Sequence, residues 1–256
     1  MTNRSTRSQK PPSFSGSQDV PPLHAAAGPF AAQALPLRDL RELPPEWQPP
    51  EPASPRGRIL AASRLLFAQH GLTATTTRAI AARAKVNLAM IHYYYGSKEA
   101  LYERVLAQEF IVVVQGMTAQ LPPDLPEHEM IMTLPIRIMS VLRHNPTWIT
   151  LLRHEIGLGG VHVLKALKSL GGLGPLGLRQ MFDTTYARAV AGGRLRALPV
   201  DALRECLLAL AWGTILMQPF FEQMFHSNLF DETAWTEYQR TLDALLRRGL
   251  QVENET

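Results

Sequence analysis

The stretch from Ser54 to Gly96 admits few folds, because helix starts and stops recur in it at short intervals. Ser54-Pro55 opens it: serine caps a helix N-terminus, and proline sits in the first turn without costing a hydrogen bond. Ile59, Ala62, Ser63, Leu66 and Phe67 then recur at i, i+3, i+4, i+7 and i+8, a single buried stripe. Gly71 is placed to end that helix. Thr75-Thr76-Thr77-Arg78 offers a second cap, and Thr77–Ala84 leaves room for about two turns, with Ile80, Ala81 and Ala84 inward. Lys85-Val86 makes the turn, Asn87 caps a third helix from Leu88 to Tyr95, and Gly96 stops it. Ser97 caps the next helix, with Glu99 in its favourable first turn. A longer helix followed by two short ones about a tight turn is the layout of a helix-turn-helix.

Helical geometry sorts the third helix. At ~100° per residue, Leu88, Ile91 and Tyr95 share an arc that packs inward, and Ala89, Met90, His92 and Tyr93 share the opposite, exposed arc. Tyr94 lies on the edge between them. Met, His and Tyr on an open face suit a DNA groove: apolar contact to a thymine methyl, ring-edge hydrogen bonds to bases, phenol contacts to phosphate. The competing reading makes Tyr93, Tyr94 and Tyr95 core or interface residues; for Tyr95 that reading is preferred.

Charge points to the same segment. The chain of 256 residues carries a net +4, yet residues 54–104 hold eight Lys/Arg against two acids, a local excess of +6. A compact basic module on a neutral-to-acidic body suits an anionic partner such as DNA, though it also describes a solvated basic face. Cys206 is the single cysteine, so no intrachain disulfide forms, which fits a reducing, cytoplasmic setting. No apolar run reaches the ~18–20 residues of a membrane span, and the N-terminus lacks the layout of a secretory signal. Residues 1–53 are broken by Pro11-Pro12, Pro21-Pro22, Pro44-Pro45 and Pro49-Pro50 and read as a disordered extension, with a short helical turn available over Leu35 to Leu43. That extension is either inert or, through Arg4, Arg7 and Lys10, an arm for a partner or the DNA backbone.

From Ile59 through Leu101 the chain resembles the DNA-binding domain of the TetR family of one-component regulators. The residues that carry the resemblance are Ile59-Leu60, Ala62, Leu66-Phe67, Gly71, Thr76-Thr77, Ile80-Ala81, Ala84, Val86, Ile91, Tyr95 and Ser97-Lys98. The string from Val86 to Leu101 is similar to one branch of that family, which includes a fatty-acid-responsive repressor. The resemblance implies phosphate contacts from Thr76, Thr77, Arg78 and Lys98, and groove contacts from Asn87, Ala89, Met90, His92, Tyr93 and Tyr94. It departs at three places. Lys85 replaces the usual turn glycine, so either the backbone avoids a left-handed turn or the lysine bears modest strain. His92 replaces the usual Tyr or Asn, and Tyr94-Tyr95 the usual His-Phe; these changes bear on which operator is read.

The rest of the chain, 105–250, reads as a helical effector-binding and dimerisation domain, which makes the fold all-α: a helix-turn-helix domain (54–104) and a larger helical domain behind a Pro-rich tail. Leu101 to Met117 is helical despite the β-branched run 111–114; 121–127 is a proline-rich loop; Ile131 to Arg143 is helical; another helix begins near His144-Asn145-Pro146. Gly171 to Pro175 breaks the chain, and Gly192-Gly193 ends the helix that follows. Asp201 to Phe225 is apolar nearly all round, which demands burial on more than one side. Either it is central core, or a partner subunit covers it, or both. The resemblance implies a homodimer through helices at about 201–225 and 232–250, a palindromic DNA operator, and release by a small, apolar effector. Phe110, Met117, Met139, Phe182 and Trp212 are candidate linings by side-chain type, and plain core otherwise.

Enzymatic readings find little footing. No histidine pair has metal-ligand spacing, His154 and His162 included. Gly171 to Gly177 lacks the lysine and preceding strand of a phosphate loop, and Cys206 sits in an apolar helix as a packing residue. No cofactor or metal is expected. A helical interaction or scaffold protein with a vestigial helix-turn-helix is the alternative.

Overall fold

The computed structural model describes residues 43, 45–119, 121–122, 124–171 and 174–252. The expectations for Arg4, Arg7, Lys10 and most of Leu35 to Leu43 lie outside them. The described residues form twelve α-helices and no strand, with one isolated bridge between Leu195 and Gln251. Three helices make the N-terminal module: α1 (Pro55–Ala74), α2 (Thr77–Ala84) and α3 (Leu88–Tyr95). Helix α4 (Lys98–Ala119) leads into the body, followed by α5 (Glu127–Met132), α6 (Leu134–Arg143), α7 (Pro146–Gly157), α8 (Val161–Ser169), α9 (Pro175–Ala191), α10 (Val200–Leu216), α11 (Gln218–Phe225) and α12 (Glu232–Leu250). None of them is long and apolar enough to cross a membrane.

The capping signals act where their residue types place them. Ser54 Oγ accepts from Gly57 N at 3.0 Å and opens α1. Gly71 interrupts α1 at φ 72°, a left-handed backbone that favours glycine, and one more turn follows before Thr75. Ile59, Phe67, Ile80, Ile91, Leu101, Tyr102 and Leu106 are buried in one continuous core that ties the module to α4, with Phe67 edge-on to Tyr102 at 4.9 Å. The β-branched run 111–114 is helical inside α4, where Ile111, Val113 and Val114 are buried. Packing decides against the weak local preference of β-branched side chains for strands.

Several boundaries differ from the sequence expectation. Ile131 to Arg143 is two helices broken at Thr133, with Pro135 in the first turn of the second. Asp201 to Phe225 is also two, α10 and α11, because Pro219 cannot continue a hydrogen-bonded helix across Met217. Its apolar girdle is only half covered: Leu203, Leu207, Ala211 and Ile215 are buried, whereas Leu210, Met217, Phe220, Met224 and Phe225 are exposed. Helix α8 had no counterpart in the sequence reading.

The segment before α1 also differs from an unstructured extension. Leu43 is buried, and the chain from Pro45 to Ala53 lies along α1 and α4. The Arg104 guanidinium stacks 4.5 Å from the Trp47 ring, Gln108 Nε2 donates to Trp47 O at 2.7 Å, and Arg104 donates to Gln48 O at 3.3 Å. Gly57 makes the approach possible, since a Cβ there would stand 2.1 Å from Glu51 O. Side chains of α4 bond the carbonyls of Trp47 and Gln48, while Arg58 of α1 bonds that of Ala53.

Candidate nucleic-acid interface

The turn between α2 and α3 is built from three local devices. Thr76 caps α2, its Oγ1 accepting from Ala79 N at 3.1 Å, so its hydroxyl hydrogen stays available to an outside acceptor. Lys85 ends α2 at φ 54°, ψ 51°, the left-handed conformation. Of the two possibilities the sequence left open, the lysine therefore adopts the strained one. Asn87 Oδ1 accepts from Ala89 N at 2.9 Å and caps α3. Its N–H groups are not used by that cap.

The expected reading face is only partly open. Ala89, His92 and Tyr93 are exposed, Tyr93 to 82%. Met90 and Tyr94 are half-buried and pack against the core, and Tyr94 meets the Tyr93 ring edge-on at 5.0 Å. Helical phase puts Met90 outward, but α3 lies against both α1 and α2, which covers a wider arc than one neighbour would. Tyr95 turns inward and donates to Arg56 O at 2.8 Å; burial pushes its phenol above its ordinary pKa. His92 Nδ1 lies 2.9 Å from Gly96 O.

The basic residues divide into two groups. Arg78, Arg83 and Lys85 are exposed around α2, and Thr77 is half-buried at its start. Others serve the fold. Arg58 donates to Ala84 O and Ala53 O, at 3.1 and 2.8 Å. Arg64 forms a two-point ion pair with buried Glu109 of α4. Arg104 lies against Trp47, and burial lowers its pKa to about 10. Lys98, expected at a phosphate, donates to Leu72 O at 2.9 Å and Thr75 O at 3.1 Å. Thr75 Oγ1 in turn points its one hydrogen between Gly71 O at 2.7 Å and Leu66 O at 3.1 Å. The carbonyls released by the break at Gly71 thus find donors, and the α1–α2 elbow is tied to the start of α4.

The body reaches this elbow through α7. His154 Nε2 stands 3.1 Å from Ala68 O, and its ring lies against Gly71. The next residue, Glu155, is buried and accepts from His162 N and Val163 N at the start of α8, at 3.1 and 3.0 Å. The Tyr102 hydroxyl faces the same carboxylate, and burial together with that charge holds its phenol far above the ordinary range. The His154–Ala68 and Tyr102–Glu155 contacts join residues far apart in sequence, whereas Glu155 reaches His162 and Val163 only seven and eight residues on.

The candidate effector residues fall into two groups. Phe110 of α4 and Trp212 of α10 are linked through Trp148 of α7, with centroid separations of 6.1 and 6.5 Å. Met139 is fully buried and Met117 half-buried. Phe182 stands apart, stacked on Tyr186 at 6.3 Å with the Arg204 guanidinium 5.9 Å from its ring. Trp148 itself was missed, although it is among the largest fully buried side chains and its Nε1 has no hydrogen-bond partner. Among the described residues, no group of three or more His, Cys, Asp or Glu could hold a metal ion.

Comparison with known proteins agrees with this arrangement. Residues 59–105 match the sequence profile of the bacterial regulatory proteins, tetR family, so a tetR-type helix-turn-helix occupies α1 to α4. The HTH-type transcriptional repressor NicS of Pseudomonas putida is 31% identical over 138 residues, covering 53% of this chain and 65% of that protein. The HTH-type transcriptional dual regulator CecR of Shigella flexneri is 51% identical over 45 residues, covering 18% of this chain and 20% of that protein. The chain therefore spans less than two thirds of either relative. Two solved structures share the fold. The fatty acid degradation regulator FadR of Bacillus halodurans has a TM-score of 0.58 at 15% identity, over 77% of this chain and 96% of that one. The ketosteroid transcriptional regulator KstR2 of Mycobacterium tuberculosis has a TM-score of 0.56 at 17% identity, over 78% and 97%.

Proposed function

We propose that this chain is a cytoplasmic, TetR-like DNA-binding transcription regulator, a repressor released from a palindromic operator by a small apolar effector. The observation that carries this reading is the three-helix reader itself. Helix α3 presents Ala89, His92 and Tyr93 outward, and the Thr76 hydroxyl, Arg78, Arg83 and Lys85 surround it. A recognition helix flanked by cations and hydroxyls suits a major groove: phosphate contacts set register, and the exposed ring edges read bases. Thr77, Asn87, Met90 and Tyr94 support that surface at its margin, and Lys98 supports it from behind.

The exposed apolar residues of α10 to α12, Leu210, Met217, Phe220, Met224, Phe225 and Leu245, favour a homodimer. Two-fold symmetry would set the α3 helices about 34–36 Å apart, in successive major grooves. The aromatic series Phe110–Trp148–Trp212 between α4, α7 and α10 supports an apolar effector in the body. The names of FadR and KstR2 point to lipid-like molecules for those proteins, and the 45-residue likeness to CecR supports placing this reader in one branch of the family. Ligand binding would then shift the population toward a helix spacing that fits DNA poorly. No catalytic role is assigned.

Gel-shift titration of the full chain against its own upstream region, at several salt concentrations, tests this. Sequence-preferring binding that weakens with salt is expected. Salt-insensitive or absent binding at every promoter tried would instead favour a helical interaction protein with a vestigial reader.

A further inference from the structure

The exposed ring of His92 is oriented by a bond to Gly96, whose backbone is itself tied to that of His92. Gly96 N donates to His92 O at 2.9 Å, and His92 Nδ1 lies 2.9 Å from Gly96 O. Gly96 reaches this position at φ 77°, a backbone that side chains rarely adopt. A carbonyl oxygen only accepts, so Nδ1 carries the hydrogen. In the neutral ring, Nε2 is left with a lone pair and no hydrogen. The exposed end of His92 is therefore an acceptor of fixed tautomer. Its neighbours differ from it: Ala89 offers a methyl group, the Tyr93 hydroxyl donates or accepts, and Arg78 and Lys85 only donate.

The four bases differ before such a group in whether they carry a donor. In the major groove adenine N6 and cytosine N4 donate, with the acceptor N7 beside adenine N6, whereas guanine N7 and O6 and thymine O4 only accept. We propose that His92 is a specificity-determining residue that reads amino bases. At one position of each operator half-site, the strand it faces carries adenine or cytosine, and guanine and thymine are rejected. The inference rests on the DNA-binding reading above and adds to it the base class that this side chain selects.

Selection of the full-length protein on a randomised duplex library, at mildly alkaline pH, tests this beside His92→Ala and His92→Arg. Wild type should yield one position per half-site restricted to adenine or cytosine. Replacing that adenine by purine, which lacks the 6-amino group, should weaken binding by roughly 3–10-fold. His92→Ala should lose the preference at that position alone, keep the salt dependence of binding, and ignore the purine replacement. His92→Arg, a pure donor, should turn the position to guanine. Guanine or thymine at the His92-dependent position in the wild type overturns the inference, as does an identical consensus for His92→Ala; both leave DNA binding standing. Absence of sequence-preferring, salt-sensitive binding by the wild type overturns both readings.

Discussion

Lys98→Met separates two roles that one lysine can play. The ammonium donates to Leu72 O at 2.9 Å and to Thr75 O at 3.1 Å, and Thr75 is buried. Methionine keeps most of the apolar stem and removes both charge-assisted bonds. Each such bond contributes about 1.5–3 kcal/mol. Water can reach the half-buried elbow and replace part of that, so a total loss of about 2–3 kcal/mol is expected. For a domain of this size 1 kcal/mol shifts Tm by about 2–4 °C, so the variant should melt roughly 5–10 °C lower. Thermal unfolding followed by circular dichroism reads this, and the salt dependence of DNA binding provides the second measurement. A lock behind the reader should lower Tm and leave the slope of log K against log salt unchanged. A phosphate anchor would lower that slope by about 0.9 per contact. An unaltered Tm with a reduced slope would refute the lock.

Three further outcomes follow from the structure. Lys85→Gly relieves a left-handed lysine and forfeits some unfolded-state restriction, for a net gain of about 0.5–1 kcal/mol; a lower Tm in the variant would contradict this. Glu129 is held below the usual carboxylate range chiefly by hydrogen bonds from Arg247, at 2.8 and 2.9 Å. Its contribution to stability is complete above its unfolded pKa and is lost as pH falls through the lower folded value, so Glu129→Gln should flatten the acid limb of a stability–pH curve. Phe220→Glu, on the exposed apolar face of α11, should convert a dimer to a monomer in light scattering while helicity is retained; a persistent dimer would move the interface elsewhere.

The parts of the fold legible in the sequence are those set by neighbours along the chain. Ser54, Thr76 and Asn87 cap helices through atoms two or three residues away, Gly96 adopts the positive φ that marks a stop, and Gly71 at positive φ kinks α1 one turn before its end. Local rules therefore place α1 to α3. The uses of Lys98, His154 and Trp47 depend on groups 23 to 86 residues away, and no local pattern announces them. The break at Met217 had a visible signal in Pro219, which the continuous apolar pattern concealed. Met90 is less exposed than its helical phase implies for a geometric reason: a helical wheel gives phase, but the approach of neighbouring helices sets how wide the covered arc is. His92 was legible as an exposed ring, whereas its tautomer required the position of the Gly96 carbonyl.

The tie from Lys98 to the α1–α2 elbow has a bearing on how such a protein can change over generations. Lys98 joins the long helix α1 and the α1–α2 elbow to the start of α4, so the reader and the body meet at one joint. If the chain regulates transcription as proposed, changes in the body would alter when it lets go of DNA without altering which letters it prefers. Changes on α3 can do the reverse. On that reading, response and address would be inherited through different residues, so either could drift or be engineered while the other is held.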